Sequence, residues 1–238
     1  MEVENESVIK CELGHLARAD GSCALALRDT TVWAAVFGPG DIMQSRRRND
    51  RAAVEVHMRP SIAKPGQIAA KYQDIERLMQ GAVESSVLVG ALPRTLLEIT
   101  IHELHDGGSL SCAALNACCL ALLNAGVPMC SVFCAVTAAV VPVDQSKSCA
   151  SHQRTQLVVH PDSTVEQRSI ASFTFVFTMV KNANSETLPE LCGVHSSGRY
   201  SLDDLRQAIE RTKPAALFWL NDVYRAVVKS SFLGGAAE

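Results

Sequence analysis

Nothing in this 238-residue sequence approaches the ~18–20 consecutive apolar residues that span a bilayer, so no contact with membrane is expected. A surplus of positive charge is missing too. Lys and Arg number 22 against 25 Asp and Glu, a formal net charge of −3, so any nucleic-acid contact has to come from a local patch. The opening MEVENESVIK is acidic and polar, without the basic and apolar regions of a secretory signal. Nine cysteines are present, but the short C-x2-C pairs that hold zinc are not. The odd count, the adjacent Cys118 and Cys119, and the apolar surroundings of Cys130 and Cys134 argue against a disulfide framework. These thiols read as buried small hydrophobes of a protein kept in a reducing compartment, cytosol or nucleus. Walker-type phosphate loops, G-x-S-x-G elbows, internal repeats and low-complexity segments are absent as well.

What is present suffices for a substantial core: 47% of residues are hydrophobic, enough for one domain or two tightly packed halves. Residues 1–17 read as a flexible arm and residues 18–238 as a single folded domain. DGSCALALRDTTVWAAVFGPG reads as a hairpin, with strands Cys23–Leu27 and Thr31–Phe37, a turn at Arg28–Asp29–Thr30, and an end at Gly38–Pro39–Gly40. Alternation over 52–58 predicts a strand. Ile75, Leu78, Met79, Ala82 and Val83 fall at helical spacing within 72–88, and LPRTLLEITIHEL predicts a strand over 95–103. A second helix is expected over 111–125, stopped by Gly126 and Pro128. Beyond it, CSVFCAVTAAVV reads as a buried strand, residues 142–155 as a polar loop, QLVV and SIASFTFVFTMV as strands, and LCGVHSSGRY as hairpin-like. Ser201 with Asp204 opens a helix over 202–211, and Pro214 opens another that runs to 230. Several strands precede each helix or helix pair, so the expected class is α+β.

Three constellations could carry chemistry. The turn Gly107–Gly108–Ser109 before a helix is how many proteins cradle a phosphate: glycines admit an anion to the backbone, and free N–H groups face it. Ser109 and Ser111 would add hydroxyls; a plain helix cap is the alternative. Arg46, Arg47, Arg48 and Arg51 place four guanidiniums in six residues between two strands, suited to tracking a phosphodiester backbone. A solvated loop or a patch facing another subunit would look the same. Lys71 and Arg77, around the next helix start, would extend that basic surface. Asp162 and Glu166, near His160, are four residues apart, a spacing open to a divalent metal, to acid–base work, or to ordinary loop acids. His102 and His105 fall on opposite faces of a strand that continues through both, and no metal site is expected from them.

HDGGSLSCAALNACCLALLNAGVPM is recognisable as a whole. With RADGSCALALRDTTVWAAVFGPGD, VEVHMRP, LPRTLLEITIHEL and LVVHPDSTVEQRS in the same order, it resembles the RNase PH family. That family holds bacterial RNase PH, the core domains of polynucleotide phosphorylase, and the ring subunits of the RNA exosome. GSLSCAALNA with GVPMCSVFCAV looks most similar to an exosome ring subunit. The resemblance implies two similar halves, each a mixed sheet backed by helices, in subunits that pair and close into a six-membered ring around an RNA channel. It implies phosphorolysis of RNA from the 3′ end, inorganic phosphate serving as co-substrate and no cofactor being required; Mg2+ would enter only for hydrolysis.

The residues match that chemistry unevenly. Phosphate-binding relatives carry Gly-Thr/Ser-Arg at the turn, where this chain reads Gly108–Ser109–Leu110, and leucine cannot replace a guanidinium's paired hydrogen bonds. The family's catalytic Asp aligns close to Ser172, Glu166 falls at a second acidic position, and His160 stands where the strand motif usually ends in Asp. Lys71 sits where active relatives contact RNA, and the Arg46–Arg51 loop keeps its basic character. The expectation is an RNA-binding exosome ring subunit with weak or no phosphorolysis, partnered by other RNase PH-like subunits and homodimeric when isolated. It is expected in nucleus, nucleolus and cytoplasm.

Overall fold

The apolar alternation after residue 20 folds into the expected hairpin, and the computed structural model describes residues 9–61, 68–142, 155–181 and 187–234. Strands β2 (Gly21–Leu27) and β3 (Thr30–Asp41) pair antiparallel, Leu27 opposite Thr30. The N-terminal stretch is not wholly an arm. Ile9–Leu13 forms strand β1 along β2, because Ile9, Cys11 and Leu13 turn inward while Lys10 and Glu12 face solvent. Residues 1–8 lie outside the described residues. Strands β4 (Ala53–Arg59) and β5 (Thr95–His105) complete a sheet in the order β1-β2-β3-β5-β4. β4 runs parallel to β5 because helix α1 (Ile68–Ser86) carries the chain back between them. α1 lies along β4, with the Met58 N–H donating to Glu76 and the Gln80 side chain donating to the Val54 carbonyl.

The second sheet has the order β7-β6-β8-β9, formed by β6 (Phe133–Pro142), β7 (Thr155–Val159), β8 (Ala171–Lys181) and β9 (Thr187–Gly198). Its described pairs are all antiparallel, so the mixed sheet expected for this half is found in the first half only. No described helix crosses over between two of its neighbouring strands, and antiparallel pairing follows. LCGVHSSGRY is no hairpin either: β9 runs unbroken to Gly198, with Gly193 opposite Val176 and close to Leu78 of α1. Most of the loop expected over 142–155 lies outside the described residues.

Helix α2 (Leu110–Asn124) packs against β2 and β3 on one side and β6 on the other. Twelve of its residues are buried, from Leu110 to Leu122, so it has no polar face and forms the floor of both sheets. Gly21 permits this packing, since a Cβ there would lie 2.4 Å from the Ala121 carbonyl oxygen. Among the described cysteines, Cys23, Cys112, Cys118, Cys119 and Cys134 are buried and none is bridged.

After the short helix α3 (Ser163–Arg168), α4 (Leu202–Phe218) starts at the expected capping box, with the Asp204 N–H donating to Ser201 Oγ. It does not stop at Pro214. The exposed Pro214 and Glu210 leave the broken backbone bond facing water, and the Thr212 hydroxyl donates back to the Ala208 and Ile209 carbonyls. The helix continues through a π turn at Trp219–Val223 into α5 (Tyr224–Gly234).

Candidate functional site

β5 ends at His105 and α2 begins at Leu110, so the Gly107–Gly108–Ser109 turn stands at one end of the first sheet, beside the start of β3. Its glycines are there for backbone contact. A Cβ on Gly107 would lie 2.5 Å from Asp29 Cβ, and one on Gly108 would lie 2.5 Å from the Ser163 nitrogen and 2.7 Å from the Pro161 carbonyl oxygen. The turn thus clasps the segment between β7 and α3: the Ser163 N–H donates to the Gly107 carbonyl at 2.8 Å.

The amides that would receive a phosphate already have partners. Gly107 N–H donates to Thr30 Oγ1 (3.0 Å), Gly108 N–H to Asp106 Oδ1 (3.1 Å) and Ser109 N–H to Glu166 Oε1 (2.9 Å). Ser109 is buried, and its hydroxyl donates to the Pro161 carbonyl at 2.8 Å instead of facing the cleft. Ser109 sits at the N-cap position but caps nothing with its side chain, and a carboxylate from α3 meets its amide where an anion would sit. Leu110, only 2% exposed, points into the core. Ser111 in the first turn of α2 is partly buried.

Asp162 and Glu166, read together as a metal or acid–base pair, are drawn to different partners. Asp162 accepts from Arg28 at 3.0 Å, and Arg28 also donates to the His160 carbonyl at 2.8 Å. No group of three or more His, Cys, Asp or Glu side chains among the described residues is placed to hold a metal ion. Arg28 and Thr30 are site residues that sequence reading took for turn residues. No local signal marks them, because their partners lie far along the chain.

Backbone strain concentrates here. Four described non-glycine residues have positive φ, and Arg28, Ser109 and His160 are three of them. Strain of this kind costs about 1–3 kcal/mol per residue and persists only where surrounding contacts impose it. An open cleft of about 650 Å³ is lined by Arg28, Asp29, His105, Asp106, Asp162 and Thr164. Three carboxylates face one guanidinium there, which disfavours an anionic ligand. Behind His160, a cavity of about 350 Å³ is walled by Leu27, Val159 and Phe218.

Arg28 lines both spaces and His160 lines the cavity, with its Nε2 3.5 Å from the Trp219 indole nitrogen and its Nδ1 3.7 Å from Cys112 Sγ. Burial, and secondarily the Arg28 charge, lower its pKa from 6.5 to about 4. The unfolded chain takes up this proton near pH 6.5 and the folded chain only near 4, so below 6.5 protons favour unfolding. Stability should therefore be complete above about pH 6.5 and fall by up to about 3 kcal/mol toward pH 4. Urea midpoints measured across this range check it, and the dependence should flatten in His160→Gln.

The basic loop lies elsewhere. Arg46–Arg51 connects the far end of β3 to the start of β4, so the length of β3 separates it from the turn, roughly 30 Å at strand rise. Arg46 pairs with Glu55 at 3.2 Å and Arg51 with Asp50 at 3.8 Å, while Arg47 and Arg48 form no ion pair among the described residues. Lys71, expected on the same surface, belongs to the opposite end. α1 begins after β4 has run toward the turn, and Tyr72 in its first turns donates to the Glu103 carboxylate on β5. The structure thus brings Gly108, Ser109, Asp162 and Glu166 together, puts Lys71 at the same end, and leaves the arginines apart.

These features can be set beside known proteins. The 3′ exoribonuclease family model, domain 1, matches residues 8–128. The exosome complex component RRP46 homolog of Caenorhabditis elegans is 26% identical over 221 residues, covering 93% of both chains. The exosome complex component Rrp41 of Archaeoglobus fulgidus is 30% identical over 217 residues, covering 88% of this chain and 77% of its own. In structure, rice Rrp46 matches with a TM-score of 0.75 at 25% identity, over 91% of this chain and 92% of that one. The hairpin, the crossover helix and the Gly107–Ser109 turn all fall inside the stretch that the family model covers, and the chain belongs to the 3′ exoribonuclease, or RNase PH, family.

Proposed function

We propose that this protein is an RNA-binding ring subunit of the RNA exosome. It takes part in 3′-to-5′ RNA processing and degradation, including rRNA processing and mRNA decay, with weak or no phosphorolysis of its own. The observation that carries the reading is similarity over 93% of both chains to a protein named as an exosome complex component. Its partners are other RNase PH-like exosome subunits in a hexameric ring, and RNA. The isolated chain pairs with itself, since a ring subunit exposes surfaces that a neighbour would cover. It acts in nucleus, nucleolus and cytoplasm.

The low activity rests on the turn. The family's arginine position holds the buried Leu110, the Ser109 amide is engaged by Glu166, and the cleft in front carries Asp29, Asp106 and Asp162. Losing one pre-placed anion donor typically costs roughly a hundred- to a thousandfold in rate. The purified chain, given 3′-labelled RNA with and without inorganic phosphate and with and without Mg2+, should release little or no nucleoside diphosphate. Phosphate-dependent diphosphate release at rates typical of an enzyme would overturn the reading, and Mg2+-dependent monophosphate release would make the chain a hydrolase.

A further inference from the structure

β1 is an edge strand, hydrogen-bonded on one side only, and its inward face meets β2 through two thiols. Cys11 lies opposite Leu25 and Cys23 opposite Leu13, so the cysteines are diagonal neighbours on one face of the sheet. Their Sγ atoms are 3.3 Å apart, the one thiol–thiol contact among the described residues. A disulfide needs about 2.05 Å, so the sulfurs have to close by only about 1.3 Å. Diagonal cross-strand positions stand about 7–8 Å apart, beyond the usual Cα spacing of a bridge, so closure requires one strand to move. Cys23 is 1% exposed on a strand pressed against α2 by the Gly21 contact, whereas Cys11 is partly exposed on the free edge. β1 can therefore make the adjustment.

We propose that Cys11 and Cys23 are an oxidation site, at which a peroxide forms a disulfide that fastens β1 to β2. The Cys11 sulfur attacks one peroxide oxygen, breaking the O–O bond and giving Cys11 sulfenic acid and water. Cys23 sulfur then attacks Cys11 sulfur, and the departing hydroxide takes the Cys23 proton as a second water. Two thiols lose two electrons and two protons, and one hydrogen peroxide becomes two waters. Among the described residues no other two thiols stand in hydrogen-bond contact. Cys130 donates to the Ser86 carbonyl, Cys192 contacts Ser85 Oγ, and Cys112, Cys118, Cys119 and Cys134 are buried in the core.

The disulfide closes a short loop and removes freedom from the unfolded chain, and β1 also forms part of the wall of the cavity behind His160 through Ile9. The test is hydrogen peroxide treatment of the folded full chain, blocking of free thiols, and tryptic mapping. Cleavage after Lys10, Arg18 and Arg28 puts the two cysteines in separate peptides, 11–18 and 19–28. The expected product is these two peptides linked, released by dithiothreitol, with Tm raised by roughly 5–10 °C in the oxidised protein. The link should persist in Cys192→Ser and vanish in Cys11→Ser. Oxidation confined to Cys130 and Cys192 with 11–18 and 19–28 left reduced, or a link that forms only in urea, would overturn the site. A link that leaves Tm unchanged would overturn the fastening.

Discussion

Gly108→Ala should cost about 3–5 kcal/mol of stability, more than any surface exchange near the turn. Two effects act together. Gly108 has φ of +112°, a conformation L side chains rarely adopt, and a Cβ would press within 2.5 Å of the Ser163 nitrogen, 2.6 Å of the Asp162 carbonyl carbon and 2.7 Å of the Pro161 oxygen. All three are backbone atoms, so no side-chain rotation can relieve the contact. The segment from Pro161 to Ser163 would have to retreat, which breaks the hydrogen bond from Ser163 to Gly107 and the one from Ser109 Oγ to Pro161. Gly126→Ala is the control: its φ is +67° but nothing lies within 4 Å of a Cβ there, so only the conformational penalty applies, about 1 kcal/mol. Urea unfolding of the two variants measures the difference. Equal losses would show that the close approach of the two segments contributes nothing.

Charge reversal of Arg46, Arg47 and Arg48 together to Glu should weaken RNA binding by roughly a hundredfold at low salt and flatten the dependence of log K on log salt by about 0.7–0.9 per lost phosphate contact. The three side chains are exposed on one loop, and among the described residues only Arg46 has an acidic partner beside it, Glu55. An exposed pair of this kind is weak, about 0–1 kcal/mol, so it does not hold Arg46 away from a polyanion. Reversal at Lys71 should act independently, because it stands at the other end of the first sheet, roughly 20 Å away along β4. Filter binding or fluorescence anisotropy over a salt series separates the two sites. Unchanged affinity in the arginine triple variant would mean that the loop is a solvated or subunit-facing patch.

Which features were legible in the sequence follows from how far apart their causes lie. The β2–β3 hairpin, the amphipathic α1, the start of α4 at Ser201 and the buried β6 each follow from residues within one turn or one strand, and they were readable. β1 was not. Ile9, Cys11 and Leu13 make a strand only because β2 offers them an edge. Pro214 misled because its effect depends on which side of the helix it faces. At the turn, the residue types were visible but their partners were not: Ser109 meets Glu166 57 positions away, and Arg28 meets Asp162 134 positions away. The glycines read as an opening for an anion turned out to admit another stretch of backbone, a distinction that spacing cannot make.

α2 has consequences for how the molecule holds together. A helix with apolar residues on every side cannot stand alone in water, and this one is covered by β2 and β3 above and β6 below. Neither sheet has a complete interior without it. The family model ends at residue 128, just past this helix, yet cutting the chain there would strip the second sheet of its floor and expose the helix's β6-facing side. The two sheets are therefore expected to unfold in a single transition, and the visible division into halves is a record of shape that does not predict independent folding.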